Sequence, residues 1–277
     1  SNRHYDQGLS PASDEGRKAF ARWAAAAARH FRGRGILWEM YNEPNIGFWK
    51  PKPDVEQYVK LALEVGKALR EAAPEETYLG PATSQIDLPF LEACFKAGLL
   101  DYWSAVSVHP YRQRDPETSA PEYAALRRLI AKYAPKGKSI PILSGEWGYS
   151  SVWKDFDEVR QGKYLPRQWL VNLANDVPLS IWYDWHDDGR DPKEPEHHFG
   201  TVRHEYHAGR DPVYDPKPAY LAAKTLVAEL GGFAFSKRLT VGEEDEYVLL
   251  FSKGDEVRLA AWTTSSTPRT VLIPASP

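Results

Sequence analysis

Short apolar runs, each with the length of a buried strand, alternate along this chain with longer mixed segments rich in helix-forming residues. The mixed segments predict helices over 14–32, 54–72, 88–98, 120–134, 157–175 and 217–230. Asp14 and Glu15 enrich the first turn of the first helix, Ala24 to Ala28 favour the helical state, and Gly33 and Gly35 end it. Pro74, Gly98 and the pair Pro135 and Gly137 stop three others. The apolar runs predict strands at 36–41, 78–80, 103–108, 140–144 and 179–185. Each of these five strands is followed by a helix, a pattern that calls for a parallel sheet with helices covering it. After Gly232 the pattern changes. Phe233 to Leu239, Glu246 to Phe251, Val257 to Trp262 and Thr270 to Ile273 read as short antiparallel strands, with turns at Gly254-Asp255 and over 263–268. The expected organisation is a β/α body over 1–232 and a small β appendage over 233–277, to which a stabilising role is assigned before a sugar-binding one.

Chemically useful side chains cluster where the strands end: Asn42 and Glu43, His109 and Tyr111, Glu146, and Trp185. In a β/α barrel the active site lies at the C-terminal ends of the strands. An open doubly wound sheet also binds ligands there, but the glycine-rich phosphate loop that usually marks it is absent from the sequence.

Composition narrows the classes. The chain has 277 residues, and 35 basic against 38 acidic residues leave a formal charge of −3, without the basic bias of a nucleic-acid binder. No apolar run reaches 18 residues, so no membrane span is expected. The single cysteine, Cys94, cannot form an intramolecular disulfide and sits in a predicted helix, where it reads as a buried structural thiol. No signal peptide is legible and Ser1-Asn2 is compatible with a residual tag, so no compartment is assigned. The 10 Trp and 15 Tyr residues provide a large aromatic core and also flat rings suited to stacking on sugars.

Two motifs carry the chemistry. One is Trp38-Glu39-Met40-Tyr41-Asn42-Glu43-Pro44-Asn45, the other Ile142-Leu143-Ser144-Gly145-Glu146-Trp147-Gly148. Cleaving a glycosidic bond needs a carboxylic acid to protonate the leaving oxygen and a second, ionised carboxylate to attack the anomeric carbon or activate water. Glu43 and Glu146, each where an apolar run meets a turn, are the candidate pair. Glu39, still within its strand, reads as a hydrogen-bonding residue of the barrel interior. Five of the eight histidines fall within 186–207, where no His-x-x-x-His pair on a clear helix marks a metal site. That stretch reads as a long loop rimming a cleft. No cofactor or metal is expected, since the two-glutamate mechanism needs neither.

The first motif resembles the Asn-Glu-Pro segment of the retaining β/α-barrel glycoside hydrolases of clan A, especially families 5 and 39. There it follows barrel strand four, and its glutamate is the acid/base. Ser144 to Gly148 resembles the strand-seven segment that carries the nucleophile. Ser107-Val108-His109-Pro110-Tyr111 resembles strand six, and Ile181-Trp182-Tyr183-Asp184-Trp185 resembles strand eight with its sugar platform. Phe199-Gly200 and Pro216 to Tyr220 resemble the approach to the last helix. The resemblance runs from about residue 5 to 232 and implies a (β/α)8 TIM-barrel type fold of which this chain carries strands 4–8, together with the C-terminal appendage. Only one helix precedes the Asn-Glu-Pro strand, so barrel strands one to three have no counterpart here; by the resemblance, that part carries an Arg and a His that bind the first sugar and hold the nucleophile. The implied function is a retaining β-glycosidase with Glu43 as acid/base and Glu146 as nucleophile. Asn42, His109, Tyr111, Trp185 and Trp49 are the implied substrate-binding residues, with Asn42 donating to the sugar 2-hydroxyl and Tyr111 to Glu146. His109 binds a hydroxyl or orients a carboxylate. Trp185, nearer the strand end than Trp182, stacks on the sugar, core packing being the alternative. The expected partner is an oligo- or polysaccharide, with self-association or a second chain completing the barrel. Two other readings remain: a carbohydrate-binding protein without turnover, and a metal-dependent hydrolase using the histidine-rich loop.

Overall fold

The computed structural model describes residues 4–273. The chain falls into two compact units: one runs up to Tyr111 and takes in Ser119–Trp147 and Val177–Ile181, and the other comprises Arg112–Thr118, Gly148–Asp176 and the chain from Trp182 onward.

The first unit is built on parallel strands β1 (Leu37–Glu39), β2 (Thr77–Ser84), β3 (Ala105–His109), β4 (Ile142–Trp147) and β5 (Ser180–Trp182), which pair in sequence order. Its helices are α1 (Asp14–His30), α2 (Val55–Ala72), α3 (Leu88–Lys96) and α4 (Ala120–Tyr133). Ser13, Asp54 and Asp87 cap α1, α2 and α3, each accepting from a backbone N–H of the first turn. Strands buried on both faces read as nearly continuous apolar runs; β3 is buried at every position, Ser107 and His109 included. Val106, Val108 and Ile142 belong to the large core that includes Tyr58, Leu61 and Val65 of α2. On the opposite face Leu79, Ala105, Leu143 and Leu179 make a second, smaller apolar cluster. The alanine run of α1 buries Ala21, Ala24 and Ala28 in the large core, where small side chains permit close helix packing. Cys94 is buried there too. Among the described residues β1 and β5 are the sheet's edges, and each exposes an apolar residue, Leu37 and Ile181.

The second unit contains α5 (Glu158–Ala174), a hairpin of β6 (Val202–Tyr206) and β7 (Tyr214–Pro216), α6 (Pro218–Leu230), and the antiparallel sheet β8 (Ala234–Arg238), β9 (Glu246–Lys253) and β10 (Glu256–Thr263) in the order β10-β9-β8. Leu249 and Phe251 of β9 pack with Leu170 of α5 and with Leu226 and Leu230 of α6.

Three expectations change. The fifth strand ends at Trp182 rather than Trp185, because the amides of Asp184 and Asp187 donate to the carbonyls of Phe199 and Val202 instead of continuing the ladder. The loop after it holds the β6–β7 hairpin, whose charged and polar residues hide its strand pattern. Thr270 to Ile273 form no strand. No helix among the described residues is long and apolar enough to cross a membrane.

A polar bond ties the antiparallel sheet to its own unit. Glu117, buried, receives two bonds from Arg167 of α5 at 2.8 and 2.6 Å and one from the indole N–H of Trp262 of β10 at 2.7 Å. A carboxylate out of water needs such donors. Trp262→Phe keeps the ring and removes one donor. It is expected to lower the unfolding free energy by about 1–2 kcal/mol, read as a lower urea midpoint; an unchanged midpoint would show that the indole does not anchor the sheet.

Candidate active site

The site residues of the first unit stand at the C-terminal ends of β1, β3 and β4. After β1 the chain turns sharply: Tyr41 (φ 68°) and Glu43 (φ 44°) adopt left-handed backbone that non-glycine residues rarely take. Neighbouring hydrogen bonds hold this turn. The N–H of Glu43 donates to the carbonyl of Ala82 at 2.9 Å, at the place where β2 bulges between Pro81 and Thr83. Asn45 grips the backbone of Ser84 from both sides, accepting its N–H at 2.9 Å and donating to its carbonyl at 3.0 Å. It also donates to Asp87, the cap of α3, at 3.1 Å. The last residue of the Asn-Glu-Pro-Asn motif thus fastens the turn to the next β/α unit.

These constraints aim Glu43 at His109, the last residue of β3. Nδ1 of His109 lies 3.2 Å from Oε1 of Glu43, and both residues are buried, at 1% and 7% exposure. Two residues on, the hydroxyl of Tyr111 donates to Oε1 of Glu146 at 2.8 Å. Glu43, His109 and Glu146 each present an oxygen or nitrogen within 4.8 Å of the others'. These are the described residues grouped closely enough to offer three ligand atoms to one ion; the histidines of 186–207 form no such group among the described residues.

Charge follows geometry. Burial pushes the pKa of His109 down, but the side chains of Glu39 and Glu43 and the charge of Glu146 push it up more strongly, to about 9. Burial raises the pKa of Glu146, against the Tyr111 hydroxyl and His109, which lower it; Glu43 and Glu39 add to the rise.

The other candidates lie elsewhere. Asn42 is exposed beside Glu43. Trp49, expected to meet the sugar, is 1% exposed: its ring lies edge-on to Tyr58 of α2 at 5.9 Å and 5.1 Å from Tyr41, as a core residue. Of the aromatics near the first motif, Trp38 donates to Glu76 and Phe48 is exposed. In the second unit, Trp185 is 58% exposed with its ring edge-on to Tyr220, while Trp182 at the end of β5 donates its indole N–H to the carbonyl of Phe199 at 3.2 Å. Sequence reasoning gave no part to Gly145 or Ser107, which lie directly beneath the pair; the only signal was the small residue just before Glu146.

The raised pKa of His109 has a thermodynamic sign. A group whose pKa is higher folded than unfolded stabilises the fold fully below its unfolded value, near 6.5, and loses that contribution as pH rises through the folded value of about 9. The unfolding free energy is expected to fall between about pH 6.5 and 9, by an amount on the order of 3 kcal/mol at most, with the melting midpoint falling alongside, and His109→Asn is expected to flatten the fall. Thermal melts across this window check it; a slope that survives in His109→Asn would assign it to other groups.

No protein-family description matches the chain, and no curated protein does. Solved structures do. The chain is similar to a family 39 glycoside hydrolase from Bacteroides cellulosilyticus at 25% identity and a TM-score of 0.77, covering 92% of this chain and 53% of that one. It is also similar to a family 39 β-xylosidase from Caulobacter crescentus at 21% identity, TM-score 0.59, over 88% and 53% of the two chains. A family 5 structure from Streptomyces cattleya, solved in complex with GlcNAc, matches at 19% identity, TM-score 0.56, over 80% and 56%. The last two speak to fold alone. The chain spans about half the length of these proteins. Its five parallel strands are a partial β/α barrel, similar in fold to clan A glycoside hydrolases of families 39 and 5.

Proposed function

We propose that this chain is the catalytic part of a retaining β-glycosidase, with the body over 1–232 carrying the site and 233–277 as its stabilising appendage. One observation carries the reading: two glutamates, one from the turn after β1 and one from β4, converge on one buried histidine, and a tyrosine hydroxyl holds one of them. A carboxyl oxygen of Glu43 and one of Glu146 lie within 4.8 Å. That spacing favours the retaining arrangement, in which carboxyl groups stand about 5–5.5 Å apart, over the inverting one at about 6.5–9.5 Å, which leaves room for water between them.

The roles follow from the partners. Glu146 is the nucleophile. Burial raises its pKa overall, and the Tyr111 hydroxyl and the charge on His109, which favour the ionised form, oppose that rise. In the first step a carboxylate oxygen of Glu146 bonds to the anomeric carbon while the glycosidic bond breaks, and Glu43 gives its proton to the departing oxygen. In the second, Glu43 takes a proton from water, which attacks the anomeric carbon and releases Glu146. His109, 3.2 Å from Glu43, stands where it meets the negative charge left on Glu43 between the steps. Asn42 serves the sugar 2-hydroxyl, and the exposed ring of Trp185 serves as a stacking surface. The substrate is a β-linked oligo- or polysaccharide. β-Xylosides come first in the trial because one similar structure is a β-xylosidase. The open edges at β1 and β5 are where a second copy or another chain adds strands.

Incubation with 2-deoxy-2-fluoro xylosides and glucosides, followed by intact and peptide mass spectrometry, tests the reading. An adduct on Glu146 is expected. Glu43→Gln is expected to slow hydrolysis of natural linkages by about 10²–10⁴-fold while sparing binding. Full activity of Glu43→Gln on natural glycans would remove it from the acid/base role. Sugar binding with neither adduct nor turnover would favour a carbohydrate-binding protein.

A further inference from the structure

The inner face of the sheet is layered. Leu79, Ala105, Leu143 and Leu179 form an apolar floor. Along β3, Ser107 and then His109 follow Ala105 at two-residue steps and so share its face; along β4, Gly145 follows Leu143. Glu39 of β1 reaches into the level between the floor and the glutamate pair. A Cβ on Gly145 would stand 2.6 Å from Oε1 of Glu39 and would also collide with Oγ of Ser107. Gly145 is not among the residues with positive φ, so glycine here supplies room rather than backbone freedom. The room is occupied by a carboxylate, where an apolar side chain would fill the same space without the cost of dehydrating charge.

A charge below needs a charge above. His109 turns Nδ1 to Glu43, and its Nε2 is buried with no hydrogen-bond partner among the described residues. The carboxylate that faces Nε2 is Glu39, with Oε2 at 3.9 Å: too long for a hydrogen bond and short enough for a strong charge interaction. We propose that Glu39 is a positioning residue for the glutamate pair, seated in the space that Gly145 leaves and holding the Nε2 side of His109 so that Nδ1 stays on Glu43. The titratable groups facing His109 are Glu39 from β1, Glu43 from the turn after it, and Glu146 from β4, the last held by Tyr111. The upward shift of the imidazole, to which the Glu39 side chain contributes, accords with this placement. The importance of Glu39 for turnover rests on the glycosidase reading; its hold on His109 does not.

The test is the titration of His109 in the whole chain labelled with ¹⁵N-histidine, its signals assigned by their loss in His109→Asn. Glu39→Gln is expected to lower the His109 midpoint by about one pH unit or more, and Glu39→Asp, which withdraws the carboxylate by one methylene, to lower it by less. Circular dichroism identifies which variants fold. A folded Glu39→Gln with its midpoint unchanged overturns the proposal; if that variant does not fold, an unchanged midpoint in Glu39→Asp does. Turnover is not needed for this readout. If the parent hydrolyses nothing and the midpoint still falls, the glycosidase reading fails and the positioning role stands. If the parent is active and the midpoint does not move, the positioning role alone fails. In an active parent, Glu39→Gln is expected to reduce kcat with little change in KM, the signature of a group that acts without touching substrate.

Discussion

One imidazole shared among three carboxylates is the constraint on which the site depends. Whenever both Glu43 and Glu146, with oxygens within 4.8 Å, are ionised, they repel by at least about 3 kcal/mol at an effective dielectric near 20. A protonated His109 at 3.2 Å from Glu43 returns about 5 kcal/mol on the same scale. The cation therefore decides whether the two carboxyl groups can share one pocket. Its own burial works against it, so it stays charged only because Glu39, Glu43 and Glu146 surround it together. Removing Glu39 or Glu43 withdraws part of what holds His109 charged.

Such a cluster must be held by the backbone, because charges of like sign push apart. Tyr41 and Glu43 occupy left-handed backbone that costs about 1–3 kcal/mol each. The bond from Glu43 to the bulged carbonyl of Ala82 and the double grip of Asn45 on Ser84 offset that strain. Asp87 links the same Asn45 to the first turn of α3. The turn that bears Glu43 is thus fixed by its neighbour along the sheet, and α3 packing against the large core carries that fixation into the rest of the unit.

Much of this was legible in the sequence because helices and buried strands obey short-range rules. Helix ends at α1, α2, α3 and α6 follow glycines, prolines and caps, and β3 shows as a short β-branched run around Val106 and Val108. The convergence of Asn-Glu-Pro, His-Pro-Tyr and Gly-Glu-Trp was visible only as motifs in order; their meeting is a property of the sheet. Other features depended on contacts that no local pattern carries. Trp49 is an aromatic residue beside the motif, yet whether it faces sugar or core is decided by Tyr58, which lies on the next helix. Trp182 and Trp185 are separated by the point where the chain leaves the sheet to bond with residues 199–202, a long-range choice. The β6–β7 hairpin carries a histidine, an arginine, a glutamate and an aspartate on strands of five and three residues, with little apolar alternation to read. Gly145 had no part in the sequence reading, and its role in making room for Glu39 exists only across three strands.

The same long-range logic gives the sheet edge a chemical meaning. Glu39 lies on the inner face, yet its side chain is 31% exposed, because β1 has no strand beyond it among the described residues. Water at that position screens the carboxylate and weakens its pull on His109. A strand laid against β1 would exclude that water. Dehydration alone would make Glu39 costlier to keep ionised, but beside an imidazolium it would strengthen the pair, as Coulomb energies grow when the effective dielectric falls from about 80 toward about 20. The hold on His109 would tighten, and with it the charge environment of Glu43 and Glu146. Covering the sheet edge would then do more than shield Leu37: it would change the charge environment of Glu43 and Glu146 through Glu39.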